Sequence, residues 1–353
     1  MKTDWNSHTR RVFATATAMA LAGVKISAQA RPGPAETSTY KHADASWFAS
    51  CPFGVSTHWT ALSQAVDPAD WRPFPETVAK FNLERFADHI AASGAGYLIF
   101  TSCHALQWLA GPCDAIERVL PGRTSKRDMI SELARACRQR NIHFILYYNH
   151  SCNHGDDPAW EYSVGYHESN KSRLISNLLA ILAELGERHR ELVKAWWFDS
   201  CSSLDSHGPE WGKSTIPGGF RFPWDDWVDA AKSGYRDRLV TLSPGMMRYY
   251  LYTDHQDYEW GEANDLVAVP AARLTPDGLQ AHRWVCLDNP AWVHSRYNEP
   301  LVPPRFALEH LVRYVKTAHR YSVPVTFNID VDRNGRFLLE TLQLLKELHN
   351  QVT

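Results

Sequence analysis

The chain has 353 residues, of which 44% are hydrophobic, and its formal net charge is −2 with a pI near 6.8. Such a weak net charge, with basic residues scattered along the chain, leaves no electrostatic case for binding nucleic acid or an anionic membrane. The length is sufficient for one large α/β domain.

The first thirty residues predict an export signal that is not part of the fold. Thr9-Arg10-Arg11-Val12-Phe13 precedes a short apolar stretch, and Ala28-Gln29-Ala30 follows it as a cleavage site. The apolar stretch is shorter than the roughly 20 residues of a membrane span, so we expect a twin-arginine signal for the bacterial periplasm or exterior and no membrane anchor. The predicted division of the chain is a signal at 1–30, a flexible leader at 31–46 and a single folded domain at 47–350.

Apolar runs and helical patterns alternate through that domain. The apolar runs predict strands at 53–59, 97–101, 142–148, 193–199, 238–243, 283–287 and 323–329. Helical spacing predicts helices at 81–93, from 125 onward, 174–185, 224–234, 306–321 and 337–348, and the Pro-rich stretch 67–75 is expected to be a loop. This alternation predicts a parallel sheet, and the number of units favours a single (β/α)₈-like, TIM-type barrel over an open doubly wound sheet.

Polar side chains end several of these strands. They are His58, His104, Asn149, His150, Asp199 and Asp330. In a barrel with strands of one direction, all of them lie on the carboxyl-end rim, where α/β barrels place their chemistry. Aromatic residues accompany them, among them Trp59, Tyr147, Tyr148, Trp197, Trp260, Trp284 and Trp292. Carboxylates, imidazoles and indoles on one rim predict a site for carbohydrate, since sugars present hydroxyls for hydrogen bonds and C–H faces for stacking.

The order of these motifs resembles the catalytic domain of the α-L-fucosidase family. The matching motifs are Phe-Gly-x-x-x-His-Trp at 53–59, Thr-x-x-His at 101–104, Arg127-Asp128, Tyr147-Tyr148, Trp-Trp-Phe-Asp at 196–199, and Phe-Asn-Ile-Asp at 327–330 followed by Asn334-Gly335. The resemblance implies a retaining glycoside hydrolase with Asp199 as the nucleophile. It also implies that the rim binds the sugar, and the candidate substrate-binding residues are His58, Trp59, His104, Gln107, Tyr148, Asn149, Trp197, Glu259, Trp284 and Asp330.

The acid/base partner departs from the family pattern. The family's Trp-Glu is Trp284-Val285 here, and only His104 stands where the family has two adjacent His. We therefore expect the acid/base within the acidic segment 257–262 and favour Glu262 over Glu259, because Gly261 permits a close backbone approach. An exposed acidic loop is the alternative for this segment, and a sugar other than fucose is left open.

Two other functions are compatible with the same barrel. A metal-dependent hydrolase is one, given 17 His and the pair His150 and His154, but no His-Glu-x-x-His occurs. A non-catalytic glycan-binding protein is the other. We expect a carbohydrate partner, no metal or other cofactor, and Cys103, Cys152 and Cys201 as buried small hydrophobes. The linkage, exo or endo action and oligomeric state are left open.

Overall fold

The computed structural model describes residues 40–353, apart from 102, 153–154 and 208–215. The predicted export signal and residues 31–39 of the predicted leader lie outside the described residues. Within the described part of the chain, no helix combines the length and apolar character needed to cross a bilayer.

Within the described residues, eight parallel strands form one curled sheet. They are β1 (Gly54–Thr57), β2 (Tyr97–Thr101), β3 (His143–Asn149), β4 (Ala195–Asp199), β5 (Leu239–Leu242), β6 (Glu262–Ala263), β7 (Arg283–Cys286) and β8 (Val325–Ile329). Their spatial order is β5-β4-β3-β2-β1-β8-β7-β6, so the first and last strands of the chain are neighbours. The predicted (β/α)₈-like barrel is confirmed, and so are the seven predicted strands; only the two-residue β6 was not predicted.

Helices surround the sheet, and most of them cover its outer face. They are α1 (Ser46–Ala49), α2 (Phe74–Lys80), α3 (Leu83–Ala92), α4 (Asp114–Val119), α5 (Met129–Gln139), α6 (Pro158–Val164), α7 (Ser172–His189), α8 (Trp224–Ala231), α9 (Leu308–Arg320) and α10 (Leu339–Val352). Phe48 of α1 packs instead in the inner apolar cluster, against Tyr97 and Tyr258. Short 3₁₀ turns span Pro68–Asp70, Arg190–Leu192 and Cys201–Ser203. The Pro-rich loop prediction was wrong at its end: Pro75 occupies the first turn of α2, a position where the missing N–H costs no helical hydrogen bond.

Strand register decides which side chains point into the barrel. Tyr147 pairs with Trp197, and Asn149 pairs with Asp199, so these four share one face. Tyr147 and Trp197 belong to the inner apolar cluster, whereas Tyr148 belongs to the outer cluster between sheet and helices. The alternation follows from the two-residue period of a strand.

β5 and β6 form no ladder within the described residues, and Asp257 bridges this seam between them. Its backbone N–H donates to Val240 O at 2.8 Å, and its carboxylate accepts from the backbone N–H groups of Val240 at 2.9 Å and Ala43 at 2.8 Å. The buried Lys232 ammonium lies 2.8 Å from the same carboxylate and donates to the Tyr40 hydroxyl at 2.7 Å. Residues 40–46 therefore belong to the folded domain, and the predicted leader boundary at 46 was too late.

Candidate active site

Asp199 ends β4 on the inner face of the barrel, with 18% of its side chain exposed. The Tyr147 hydroxyl and the Asn149 amide both donate to its Oδ2, the latter at 3.0 Å. The backbone N–H of Ser200 donates to Oδ1 at 2.7 Å. Three donors directed at two oxygens match an ionised carboxylate, which only accepts hydrogen bonds. The arrangement fixes the orientation of Asp199 and leaves part of the group open to a ligand.

Glu262 lies in β6, in register with Trp284 of β7. Burial raises the pKa of Glu262 to about 8, with a further increase from the nearby Asp199 charge, and a hydrogen bond from Ser243 acts in the opposite direction. That bond runs from Ser243 Oγ to Glu262 Oε2 at 3.3 Å. At neutral pH Glu262 therefore holds a proton that it can give away.

Gly261 sets the path of the backbone into Glu262. Its φ is +71°, and a Cβ built there would lie 2.5 Å from the carbonyl oxygen of His282. Only glycine meets both conditions without strain. The prediction was that Gly261 lets the backbone approach a ligand closely, whereas the group it approaches is the carbonyl of His282, next to β7.

Glu259 does not share the rim with Asp199. Its Oε2 lies 2.9 Å from Arg283 Nη1 and accepts from the backbone N–H of His282 at 3.3 Å. Arg283 is the first residue of β7, so Glu259 sits at the amino end of the strands while Asp199 sits at a carboxyl end. The prediction of Glu259 as a substrate-binding residue was wrong, because its carboxylate pairs with Arg283 at the amino end of the strands, away from Asp199.

His58 and His104 are neutral imidazoles near Asp199. Burial lowers the pKa of His58 to about 3, with His104 as the next cause, and burial also lowers the pKa of His104. His58 Nδ1 lies 3.0 Å from Asn328 Oδ1, and His104 Nε2 lies 3.8 Å from Asp199 Oδ2. A neutral imidazole donates at one nitrogen and accepts at the other, which suits sugar hydroxyls.

Aromatic rings form the floor beneath these groups. Trp197 stacks on Tyr147 with ring centroids 5.1 Å apart and 9° between the planes. Trp284 stacks on His58 at 5.6 Å and meets Trp197 edge to face at 4.5 Å. The candidates His58, His104, Asn149, Trp197 and Trp284 are therefore brought together around Asp199. Sequence analysis placed Tyr147 among the aromatic residues of the rim but not among the substrate-binding candidates, although its two-residue offset from Asn149 was a usable signal.

Trp59, Tyr148 and Gln107 lie away from the pocket. Trp59 packs against Phe74 and Phe81 outside the sheet, and its indole N–H donates to a backbone carbonyl at 2.8 Å. The Tyr148 hydroxyl donates to Gln107 Oε1 at 3.4 Å, and both side chains are fully buried. The prediction that these three bind substrate was wrong. Trp59 and Tyr148 lie between the sheet and the helices, and Gln107 contacts Tyr148 there.

Asp330 supports a loop and is not open to a ligand. Its carboxylate accepts from Asn289 Nδ2 at 3.0 Å, the backbone N–H of Val302 at 3.1 Å and His294 Nδ1 at 3.1 Å. The side chain is fully buried. The prediction of sugar binding by Asp330 was wrong, because its buried carboxylate already accepts three hydrogen bonds from the chain itself.

The histidine pair considered for a metal is only partly described. Both ring nitrogens of His150 have protein partners, Ser200 O at 2.9 Å and the backbone N–H of Cys152 at 3.1 Å, while His154 lies outside the described residues. Over the described ranges, no three His, Cys, Asp or Glu side chains are grouped to hold a metal ion. All seven cysteines are free and buried, as predicted for Cys103, Cys152 and Cys201.

The α-L-fucosidase family model matches residues 76–216, a span that includes His104 and Asp199. Over this part of its length the chain is similar to the α-L-fucosidases. The resemblance inferred from the ordered motifs is thereby confirmed, and the family match together with the fold supports a glycoside hydrolase. A sequence comparison with curated proteins gives no match.

Solved structures of two kinds share the fold of this chain. The α-L-fucosidase AlfC from Lactobacillus casei, in complex with its α-L-fucose product, is 15% identical with a TM-score of 0.55, covering 87% of this chain and 98% of its own. The endo-fucoidan hydrolase P5AFcnA of glycoside hydrolase family 107 is 15% identical with a TM-score of 0.61, covering 88% of this chain and 93% of its own. At these identities the similarity establishes the fold alone.

Proposed function

We propose that this chain is a retaining glycosidase that removes a terminal α-L-fucosyl residue, with Asp199 as nucleophile and Glu262 as acid/base. The observation that carries the proposal is the contrast between two carboxyl groups. Asp199 meets three hydrogen-bond donors, whereas burial and the Asp199 charge raise the pKa of Glu262 to about 8. Carboxyl groups whose environments separate their ionisation are the usual acid and nucleophile of this reaction.

In the first step, an Asp199 oxygen attacks the anomeric carbon as the bond from that carbon to the leaving oxygen breaks. Glu262 gives its proton to the leaving oxygen, so the leaving group departs as an alcohol and Glu262 becomes a carboxylate. In the second step, Glu262 takes a proton from water while the water oxygen attacks the anomeric carbon. The ester bond to Asp199 breaks, and both carboxyl groups return to their starting states.

The surrounding residues have supporting roles in this proposal. Neutral His58 and His104 exchange hydrogen bonds with sugar hydroxyls, while Asn149 and Tyr147 hold the Asp199 carboxylate in line. Trp197 and Trp284 support the pocket floor. None of these roles requires a charged group other than the two carboxyl groups.

The experiment is a panel of aryl glycosides, with 4-nitrophenyl α-L-fucopyranoside first, and NMR of the product formed earliest. The proposal predicts fucoside turnover with retained anomeric configuration. An inverted first product would show that Asp199 activates water instead of forming an ester. Exo action predicts free monosaccharide from a fucose-containing polymer, and a ladder of oligosaccharides would support endo action.

We separately propose a cellular location for the enzyme, on the basis of the N-terminal sequence. Residues 1–30 export the folded enzyme through the twin-arginine pathway, because Arg10-Arg11 precedes a short apolar stretch and an Ala-Gln-Ala cleavage site. Replacing both arginines by lysine in a bacterial host is expected to retain the protein in the cytoplasm. Unchanged periplasmic yield would contradict this assignment.

A further inference from the structure

Trp292 occupies an unfavourable backbone conformation in the loop after β7. Its φ is +66°, and the backbone N–H of Val293 donates to the carbonyl of Ala291 at 2.8 Å across it. This is a γ-turn with a bulky residue at its centre, an arrangement that is rare and strained. Strain of this kind persists only where the surrounding structure enforces it, and it is concentrated at functional sites.

Two asparagine side chains enforce the turn. Asn289 Oδ1 accepts from the backbone N–H of Ala291 at 2.9 Å, and Asn289 Nδ2 donates to the carbonyl of Val293 at 3.2 Å. Asn328 Nδ2 donates to the carbonyl of Trp292 at 3.1 Å. Because Asn328 also bonds the His58 ring, the turn is tied to a residue of the candidate pocket.

The indole of Trp292 is directed at that pocket. Its ring lies 5.4 Å from His58 and 5.2 Å from Trp284, both at steep angles. Its Nε1–H donates at 2.9 Å to Oδ1 of Asn264, two residues beyond Glu262. Trp284 is fully buried while Trp292 is only partly buried, so Trp292 is the more exposed of these two neighbouring residues.

We infer that Trp292 is a specificity-determining residue whose open indole surface contacts the C–H face of the bound sugar. The inference rests on the proposed function, since it takes the Asp199 pocket as the sugar site. An indole held by its own N–H and by a clamped backbone loses little conformational freedom when it stacks on a ligand. The strained turn thereby gains a role: it holds the ring beside His58, where a relaxed loop would let it swing away.

The test compares Trp292→Ala and Trp292→Phe with Tyr162→Ala, an exposed aromatic on α6 that lies outside the pocket. Trp292→Ala is expected to raise KM for 4-nitrophenyl α-L-fucopyranoside about tenfold with kcat changed much less, and Trp292→Phe is expected to recover most of the loss. Tyr162→Ala should match the wild type. An unchanged KM in a folded Trp292→Ala protein would overturn the inference.

A calorimetric titration with L-fucose and the aryl panel separates this inference from the proposed reaction. If the wild type binds a sugar without turning it over, the proposed hydrolysis fails, and weaker binding by Trp292→Ala still supports the contact. Equal binding by the two proteins overturns the contact whether or not turnover occurs. No binding of any panel sugar by the wild type overturns both. Thermal unfolding of each variant confirms that folded protein was compared.

Discussion

The hydroxyl of Tyr147 donates a hydrogen bond to Oδ2 of Asp199 across the β3–β4 ladder. Burial, followed by the Asp199 charge, raises the pKa of Tyr147 well above its ordinary value. The phenol therefore stays protonated and remains a donor at any pH where the enzyme works. In the proposed reaction, this contact orients the attacking carboxylate.

Removing that hydroxyl should slow catalysis. Tyr147→Phe is expected to lower kcat by about tenfold to a hundredfold, because a hydrogen bond to a charged group contributes about 1.5–3 kcal/mol. Steady-state kinetics on the aryl fucoside provide the measurement. Tyr148→Phe is the matched control, since its hydroxyl faces Gln107 outside the barrel. Equal effects of the two substitutions would argue against a role for Tyr147 in the site.

The protonation state of Glu262 should determine the alkaline limb of the pH profile of kcat/KM, where activity falls as pH rises. Burial raises its pKa to about 8, so kcat/KM is expected to fall as pH rises through about 8 and the proton to be donated is lost. Glu262→Gln should remove this limb and should slow poor leaving groups far more than activated aryl groups. Glu259→Gln, at the opposite end of the barrel, is the control. A uniform loss across leaving groups would exclude Glu262 as the acid.

Ser243 should affect the pH at which that fall in kcat/KM occurs. Its hydroxyl donates to Glu262 at 3.3 Å, and this bond lowers the pKa that burial raises. Ser243→Ala is therefore expected to move the alkaline limb of kcat/KM to higher pH while activity at neutral pH persists. A purely structural role would lower kcat at every pH and leave the position of the limb unchanged.

The free energy of unfolding should depend strongly on the contacts that Asp257 makes between β5 and β6. Asp257→Asn leaves the buried Lys232 without its carboxylate partner, and breaking a buried ion pair costs about 3–5 kcal/mol of the free energy of unfolding. Guanidinium unfolding measures this change. Asp237→Asn, at an exposed position, is the control. A chain beginning at residue 47 should also be less stable than one beginning at residue 40, since it lacks Ala43 and Tyr40.

Much of the barrel could be predicted from the sequence because its strands are apolar runs ending in polar residues. Asp199 was found in this way, and the same alternation distinguishes His58 from Trp59 and Tyr147 from Tyr148 once register is known. β6 could not be predicted, since it is two residues long and owes its place to Gly261 and β7. The turn at Trp292 could not be predicted either, because Asn328, whose side chain hydrogen-bonds to it, is distant in sequence.

Removing Asp199, the proposed nucleophile, is the most direct test of the proposed reaction. Asp199→Ala should lower turnover of 4-nitrophenyl α-L-fucopyranoside by about a thousandfold or more. Added azide should restore aryl release and yield a fucosyl azide of inverted configuration, because the small anion fits where the carboxylate stood. Activity within about tenfold of the wild type, or azide that forms no such product in a folded variant, would contradict Asp199 as the nucleophile.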